Sequence, residues 1–135
     1  MVPLHHAIQA CTLARLGRFD DAREHFDLVM DQLHSGSERY LWPECERLLG
    51  DYYLLCPGDR SADAEAAYTR ALDIATEQRA VIWQLCAALS LARFWSTRGE
   101  EQRAREMLNR HVGLFKEPPD MAAYQEAVEL LVKLG

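Results

Sequence analysis

Ala10-Cys11-Thr12-Leu13-Ala14-Arg15-Leu16-Gly17-Arg18-Phe19-Asp20-Asp21-Ala22-Arg23-Glu24-His25-Phe26 decides the fold, because its pattern recurs along the chain. Counted from Ala10, a large residue follows three positions on (Leu13), glycine seven on (Gly17), a second small residue twelve on (Ala22) and an aromatic sixteen on (Phe26). Counted from Ala92, the same steps reach Trp95, Gly99, Ala104 and Leu108. From Gly50 they reach Tyr53, then Ala64 and Tyr68 after two extra residues in the Cys56–Ser61 loop. Each position has a physical task. Two closely packed antiparallel helices need a small residue on each where their backbones cross, and a large one a turn further on to fill the gap. Gly17 and Gly99 let the chain reverse through a positive φ.

Working outward, the helical signals come in pairs. Pro3 to Leu16 is rich in alanine and leucine, with Pro3 suited to a first helical turn. From Phe19 to Leu33 the apolar residues Ala22, Phe26, Val29, Met30 and Leu33 return at helical spacing. Ser35-Gly36-Ser37 is a stop and a new cap. Glu38 to Leu55 follows, with Pro43 placing the start of regular helix near Trp42. After the Cys56-Pro57-Gly58-Asp59 turn, Ser61 is expected to cap a helix to Glu77. Val81 to Thr97 is apolar almost all round, which marks it as the most buried helix. Glu100 to Phe115 has acidic residues in its first turn, as the helix dipole favours. Pro118-Pro119-Asp120 then stops the chain and caps a last helix, Met121 to Leu134. The expected fold is all-α with seven helices: three antiparallel pairs, over about residues 3–36, 38–79 and 81–116, and a capping helix over 120–134. Stacked, such pairs form a right-handed superhelix.

Composition agrees with a folded, soluble chain: 49% of the residues are hydrophobic and 27% charged. A net charge of −6, from 15 basic and 21 acidic residues, gives no support for nucleic-acid binding. No stretch has the ~18 consecutive apolar residues of a membrane span, and the first residues do not read as a signal peptide. The expected compartment is the cytoplasm. Cys11, Cys45, Cys56 and Cys86 are widely spaced and read as free thiols, most of them buried.

The small–large–Gly–small–large pattern resembles the tetratricopeptide repeat, over nearly the whole chain. Val29 and His111 depart from it, standing where a small residue is usual, and no proline ends each repeat. The equivalent alanines are forty-two residues apart (Ala22 to Ala64) and then forty (Ala64 to Ala104), against the usual period of about 34. Ala64-Glu65-Ala66-Ala67-Tyr68-Thr69-Arg70-Ala71-Leu72-Asp73-Ile74-Ala75, Trp83-Gln84-Leu85-Cys86-Ala87-Ala88-Leu89-Ser90-Leu91-Ala92-Arg93, Gly99 and Ala104-Arg105 resemble a narrower group. These are the C-terminal repeat regions of large bacterial signalling ATPases, among them transcriptional regulators and class III adenylate/guanylate cyclases. The resemblance implies a regulatory or scaffolding module. It implies no ATPase or cyclase activity, because the Gly-x-x-x-x-Gly-Lys-Ser/Thr phosphate loop and the cyclase metal-binding aspartates are absent from this sequence.

The residues themselves point away from catalysis. His5 and His6 are adjacent and point apart on a helix, and Cys11 is off their face, so no metal site or other cofactor is expected. No nucleophile sits near a base in sequence, and Asp20-Asp21 and Glu100-Glu101 fall at helix starts, where capping explains them. The expected role is non-catalytic: binding a protein or peptide. The repeat phase places Cys11, Glu44, Arg47, Asp51, Cys86 and Arg93 toward the groove formed by the first helix of each pair. The carboxylate clamp of chaperone-binding relatives is not reproduced, since its Lys and Asn positions hold Ala7 and Cys11. At the chain start, Leu4, Ala7, Ile8, Cys11 and Leu16 form an apolar face with no repeat before it, which predicts a homodimer. A purely structural dimerisation unit and a small-molecule sensor in the groove are the alternatives.

Overall fold

The computed structural model describes residues 3–35 and 39–135. Among these it contains seven α-helices and a single 3₁₀ turn (Arg39–Leu41), and no strand. The helices are α1 (Pro3–Arg15), α2 (Phe19–Ser35), α3 (Trp42–Leu55), α4 (Ser61–Glu77), α5 (Val81–Thr97), α6 (Glu101–Val112) and α7 (Ala122–Leu134). The all-α, seven-helix expectation therefore holds. The stop expected at Gly36 and Ser37 lies outside the described residues.

Consecutive helices pack as hairpins, α1 on α2, α3 on α4 and α5 on α6, with α7 against α6 and α5. The first helices also touch in series, α1 to α3, α3 to α5 and α5 to α7, whereas α2 barely meets α3. Every small position of the recurring pattern is buried, and so are the large positions of the second helices, while Leu13 and Tyr53 on the first helices are partly buried. The small residues Ala10, Ala22, Ala64, Ala92 and Ala104 are inaccessible, and Phe26, Tyr68 and Leu108 fill the space beside them. The core divides in two. Phe26, Val29, Leu33 and Tyr52 centre the part under α1, α2 and α3, while Leu85, Leu91, Trp95 and Leu108 centre the part shared by α4 to α7. Tyr53 borders both. As expected, α5 buries more of its residues than any other helix: Leu85 and an almost unbroken run from Ala87 to Trp95.

Polar contacts join the helices where apolar ones end. Trp95 Nε1 donates to Glu65 Oε1 of α4 (3.1 Å), and the Arg103 guanidinium of α6 lies over the Trp95 ring at 3.9 Å. Arg105 of α6 donates to the Leu134 carbonyl at the end of α7 (2.6 Å). His111 is buried at the end of α6, where its Nδ1 meets the Met107 carbonyl (2.9 Å). Burial lowers its pKa, the effect of the Met107 bond being in the opposite direction and that of Arg110 adding to it.

The ends of helices differ from expectation in three places. Ser61 does not cap α4 but is its first residue: the N-cap is Arg60, with no side-chain bond, and Asp59 Oδ1 in the turn accepts from the Ser61 N–H (3.1 Å) and hydroxyl. Asp120 does not cap α7, whose N-cap is Met121 in an extended conformation with no side-chain bond. And α6 ends at Val112 instead of Phe115, because the chain turns at Gly113 and carries the Phe115 ring edge-on to Tyr124, 5.7 Å away.

Three turns share one chain-reversing geometry. After α1, Arg18 N–H donates to Leu13 O (2.9 Å) and Gly17 N–H to Ala14 O (3.0 Å), with Gly17 at φ 81°. Gly99 takes the same place after α5, at φ 81°. After α4, Ala80 N–H donates to Ala75 O (2.9 Å) and Arg79 N–H to Thr76 O (3.1 Å), but the left-handed residue is Arg79, at φ 56°. A residue with a Cβ resists that conformation by ~1–2 kcal/mol, part of which glycine would give back as a more disordered unfolded chain. Arg79 is exposed, so replacing it removes no packing. Arg79→Gly is expected to raise stability by ~0.5–1 kcal/mol and Tm by ~2–4 °C in a thermal melt. A lower Tm would show that the arginine side chain outweighs the strain.

Candidate functional site

Side by side, α3 and α5 present one stripe each to a shared recess of about 310 Å³. On α3 the stripe is Arg47, Asp51 and Leu54, spaced one turn apart. On α5 it is Ser90, Arg93, Phe94 and Thr97, with Arg98 just past the helix end. Tyr68 reaches in from α4 and closes the bottom.

Arg47 organises the recess. Its Nε donates to both Glu44 oxygens (3.0 and 3.1 Å), and Nη2 also meets Glu44. Nη1 reaches across to the Ser90 hydroxyl of α5 (3.4 Å) and lies 3.6 Å from Asp51. Burial alone would weaken the Arg47 charge. The hydrogen bonds and charge of Glu44, with Asp51 behind them, outweigh burial and raise its pKa above the ordinary arginine value. The Tyr68 hydroxyl donates to Asp51 Oδ1 (2.5 Å), and burial, followed by the Asp51 charge, pushes the phenol well above its usual range. Arg93 is half-exposed and pairs with Glu126 of α7 (2.9 Å). The Arg98 guanidinium lies over the Phe94 ring, 4.6 Å from its centre. One carboxylate and three guanidinium groups thus line the recess directly, and its rim is cationic.

The six residues expected in the groove meet different fates. Arg47, Asp51 and Arg93 line the recess. Glu44 is buried behind Arg47 and acts on the recess only through it. Cys86 lies half-buried one turn before Ser90, its thiol raised chiefly by burial and then by the Glu44 charge. Cys11 is not in a groove at all. It is 2% exposed in the seam between α1 and α3, where Sγ donates to the Leu48 carbonyl (3.3 Å), and burial followed by the Asp51 charge pushes its pKa up to about 12. The cause is that α1 and α3 approach closely enough for the cysteine to fill the seam.

The apolar face expected on α1 also needs correction. Ala7 and Cys11 point inward and are fully packed, so they form no self-association surface. Leu4 is half-buried. What stays outside is Ile8, 49% exposed beside a shallow recess with Leu13 and Thr12, and Leu16, 70% exposed at the helix end.

Sequence reasoning missed Leu54, Ser90, Phe94, Thr97 and Arg98. Leu54, Ser90 and Thr97 lie one turn from Asp51 or Arg93, so extending those stripes would have found them, and Phe94 lies one turn from Ser90. Its place in the repeat makes Tyr68 core filler. It is that, and only its hydroxyl enters the site.

The fold and the recess define an all-helical protein of packed hairpins whose charged pocket lies between the first helices of two neighbouring pairs. No protein-family model matches the chain, and no curated protein or solved structure was found to match it.

The recess rests on one close approach. A Cβ at Gly50 would come within 2.5 Å of the Tyr68 ring, which is 2% exposed and cannot swing away without losing Asp51. Gly50→Ala is expected to cost ~1–2 kcal/mol in urea unfolding, the overpacking exceeding the ~1 kcal/mol that alanine returns as a better helix former. Unchanged or increased stability would mean that the α3–α4 contact relaxes freely.

Proposed function

We propose that this chain is a tetratricopeptide-like, non-catalytic interaction module that acts as a regulatory scaffold in a bacterial cytoplasmic signalling or transcription-regulatory protein. Its hairpins follow the right-handed superhelix of that family, and its ligand is a protein segment held at the α3–α5 recess. The observation that carries this reading is the recess itself: a pre-formed hollow of about 310 Å³ with Arg47 fixed by Glu44, and with Arg93 and Arg98 at its rim. A cationic rim over an aromatic wall suits an acidic side chain or a terminal carboxylate, with Phe94 and Leu54 to pack against the apolar stem beside it. A non-catalytic role is supported by the thiols: Cys11, Cys45 and Cys86 are all raised first by burial, which leaves them poor nucleophiles. No helix of the described residues is long and apolar enough to cross a membrane.

Selection from a displayed peptide library tests the reading. Binders enriched in Asp and Glu are expected, with affinity falling at least tenfold on Arg93→Glu and on Arg98→Glu, and weakening as salt rises. Binders without acidic residues, or binding indifferent to both substitutions, would remove the recess from the function.

A second reading is a structural homodimer built on α1, favoured by the exposure of Ile8 next to the Leu13 recess. Light scattering after size exclusion separates the two. A dimer that Ile8→Glu converts to monomer supports self-assembly, whereas a wild-type monomer at micromolar concentration excludes it.

A further inference from the structure

His6 on α1 and His25 on α2 are nineteen residues apart in sequence and meet across the first hairpin, with Nδ1 3.1 Å from Nδ1. Their ring centres are 5.3 Å apart and their planes 36° from parallel. Both residues are partly buried, and His25 also lines the shallow recess of about 330 Å³ formed with Ile8, Gln9, Thr12 and Leu13. Two neutral imidazoles in this position can share one proton as an N–H···N bond. They can also turn both Nδ1 lone pairs on a common cation, each ring keeping its proton on Nε2.

The geometry points to a divalent transition-metal site made by His6 and His25, with zinc, nickel or copper bound through both Nδ1 atoms. Two nitrogens at ~2.0–2.1 Å from a tetrahedral zinc lie ~3.3–3.4 Å apart, so the observed separation needs only a few tenths of an ångström of ring rotation. Imidazole nitrogen selects these metals over magnesium and calcium, which take oxygen ligands. His6 is already biased toward the neutral, ligating form: partial burial lowers its pKa, and the nearby His25 lowers it further. Among the described residues no third His, Cys, Asp or Glu joins the pair. Two coordination positions of a tetrahedral ion are therefore left to water. This is a modest site that ties α1 to α2, the hairpin that the rest of the described residues meets mainly through the α1–α3 seam.

Thermal unfolding of the untagged full chain at pH 7.5, with and without zinc chloride, tests the site. Zinc is expected to raise Tm by roughly 5 °C or more at concentrations a hundredfold above its dissociation constant, and EDTA to reverse the rise. Magnesium chloride at the same concentration is expected to leave Tm unchanged. His6→Gln and His25→Gln should each abolish the zinc response, whereas His5→Gln should keep it. Ring ¹⁵N spectra of the wild type give a readout independent of folding of the variants, since zinc should shift the Nδ1 signals of these two histidines and no others. A wild type indifferent to zinc, an equal response to magnesium, a response that survives His25→Gln, or unmoved Nδ1 signals would each overturn the site and leave a plain imidazole–imidazole hydrogen bond.

Discussion

The Tyr68 ring packs against α3 at Gly50, where a Cβ would come within 2.5 Å of it, and much of the molecule follows from that contact. Glycine inside a helix weakens it, so its presence in the middle of α3 needs an offsetting gain. The gain is the aromatic ring, which occupies the space where a Cβ would stand and brings α4 close to α3. With the ring held there, the hydroxyl arrives at Asp51, Asp51 faces Arg47, and Arg47 extends to Ser90 on the next hairpin. A packing constraint in the core thus sets the position of a charged group in a surface recess, and links α3, α4 and α5.

The same economy governs the remaining hairpins. Where Gly50 and Tyr68 meet in the second pair, Ala10 and Phe26 stand in the first, and Ala92 and Leu108 in the third, all buried. Only the second pair carries a phenol at the large position, and its hydroxyl meets Asp51 at the recess. The third pair uses its polar aromatic differently. Trp95 donates to Glu65 and is covered by Arg103, which itself lies 3.5 Å from the same Glu65 oxygen, and the three together join α4, α5 and α6.

Helix count, helix limits to within a few residues, and the buried small and large positions were all legible in the sequence. They depend on local periodicity and on which residues tolerate a crossing of backbones. Legibility failed at caps and at faces. Ser61 became the first residue of α4 instead of its cap, its N–H bonded to Asp59 in the turn, a choice among near-equal hydrogen bonds that spacing does not resolve. A third of the recess lining was readable, since Arg47, Asp51 and Arg93 follow helical phase. Cys11 was misplaced because phase tells which way a side chain points, and not how near the facing helix comes.

The sequence by itself determined that this protein is a set of seven helices folded in pairs, because a helix declares its buried stripe and its ends within one short stretch of chain. Tertiary structure alone decided which stripes meet. The distance between α1 and α3 closed one expected groove position and left Ile8 outside, the approach of α3 to α5 opened the recess, and the packing of α1 on α2 set His6 beside His25. These outcomes turn on separations of an ångström or two between helices. Such separations come from the sum of all side chains packed between them, and no local pattern encodes that sum.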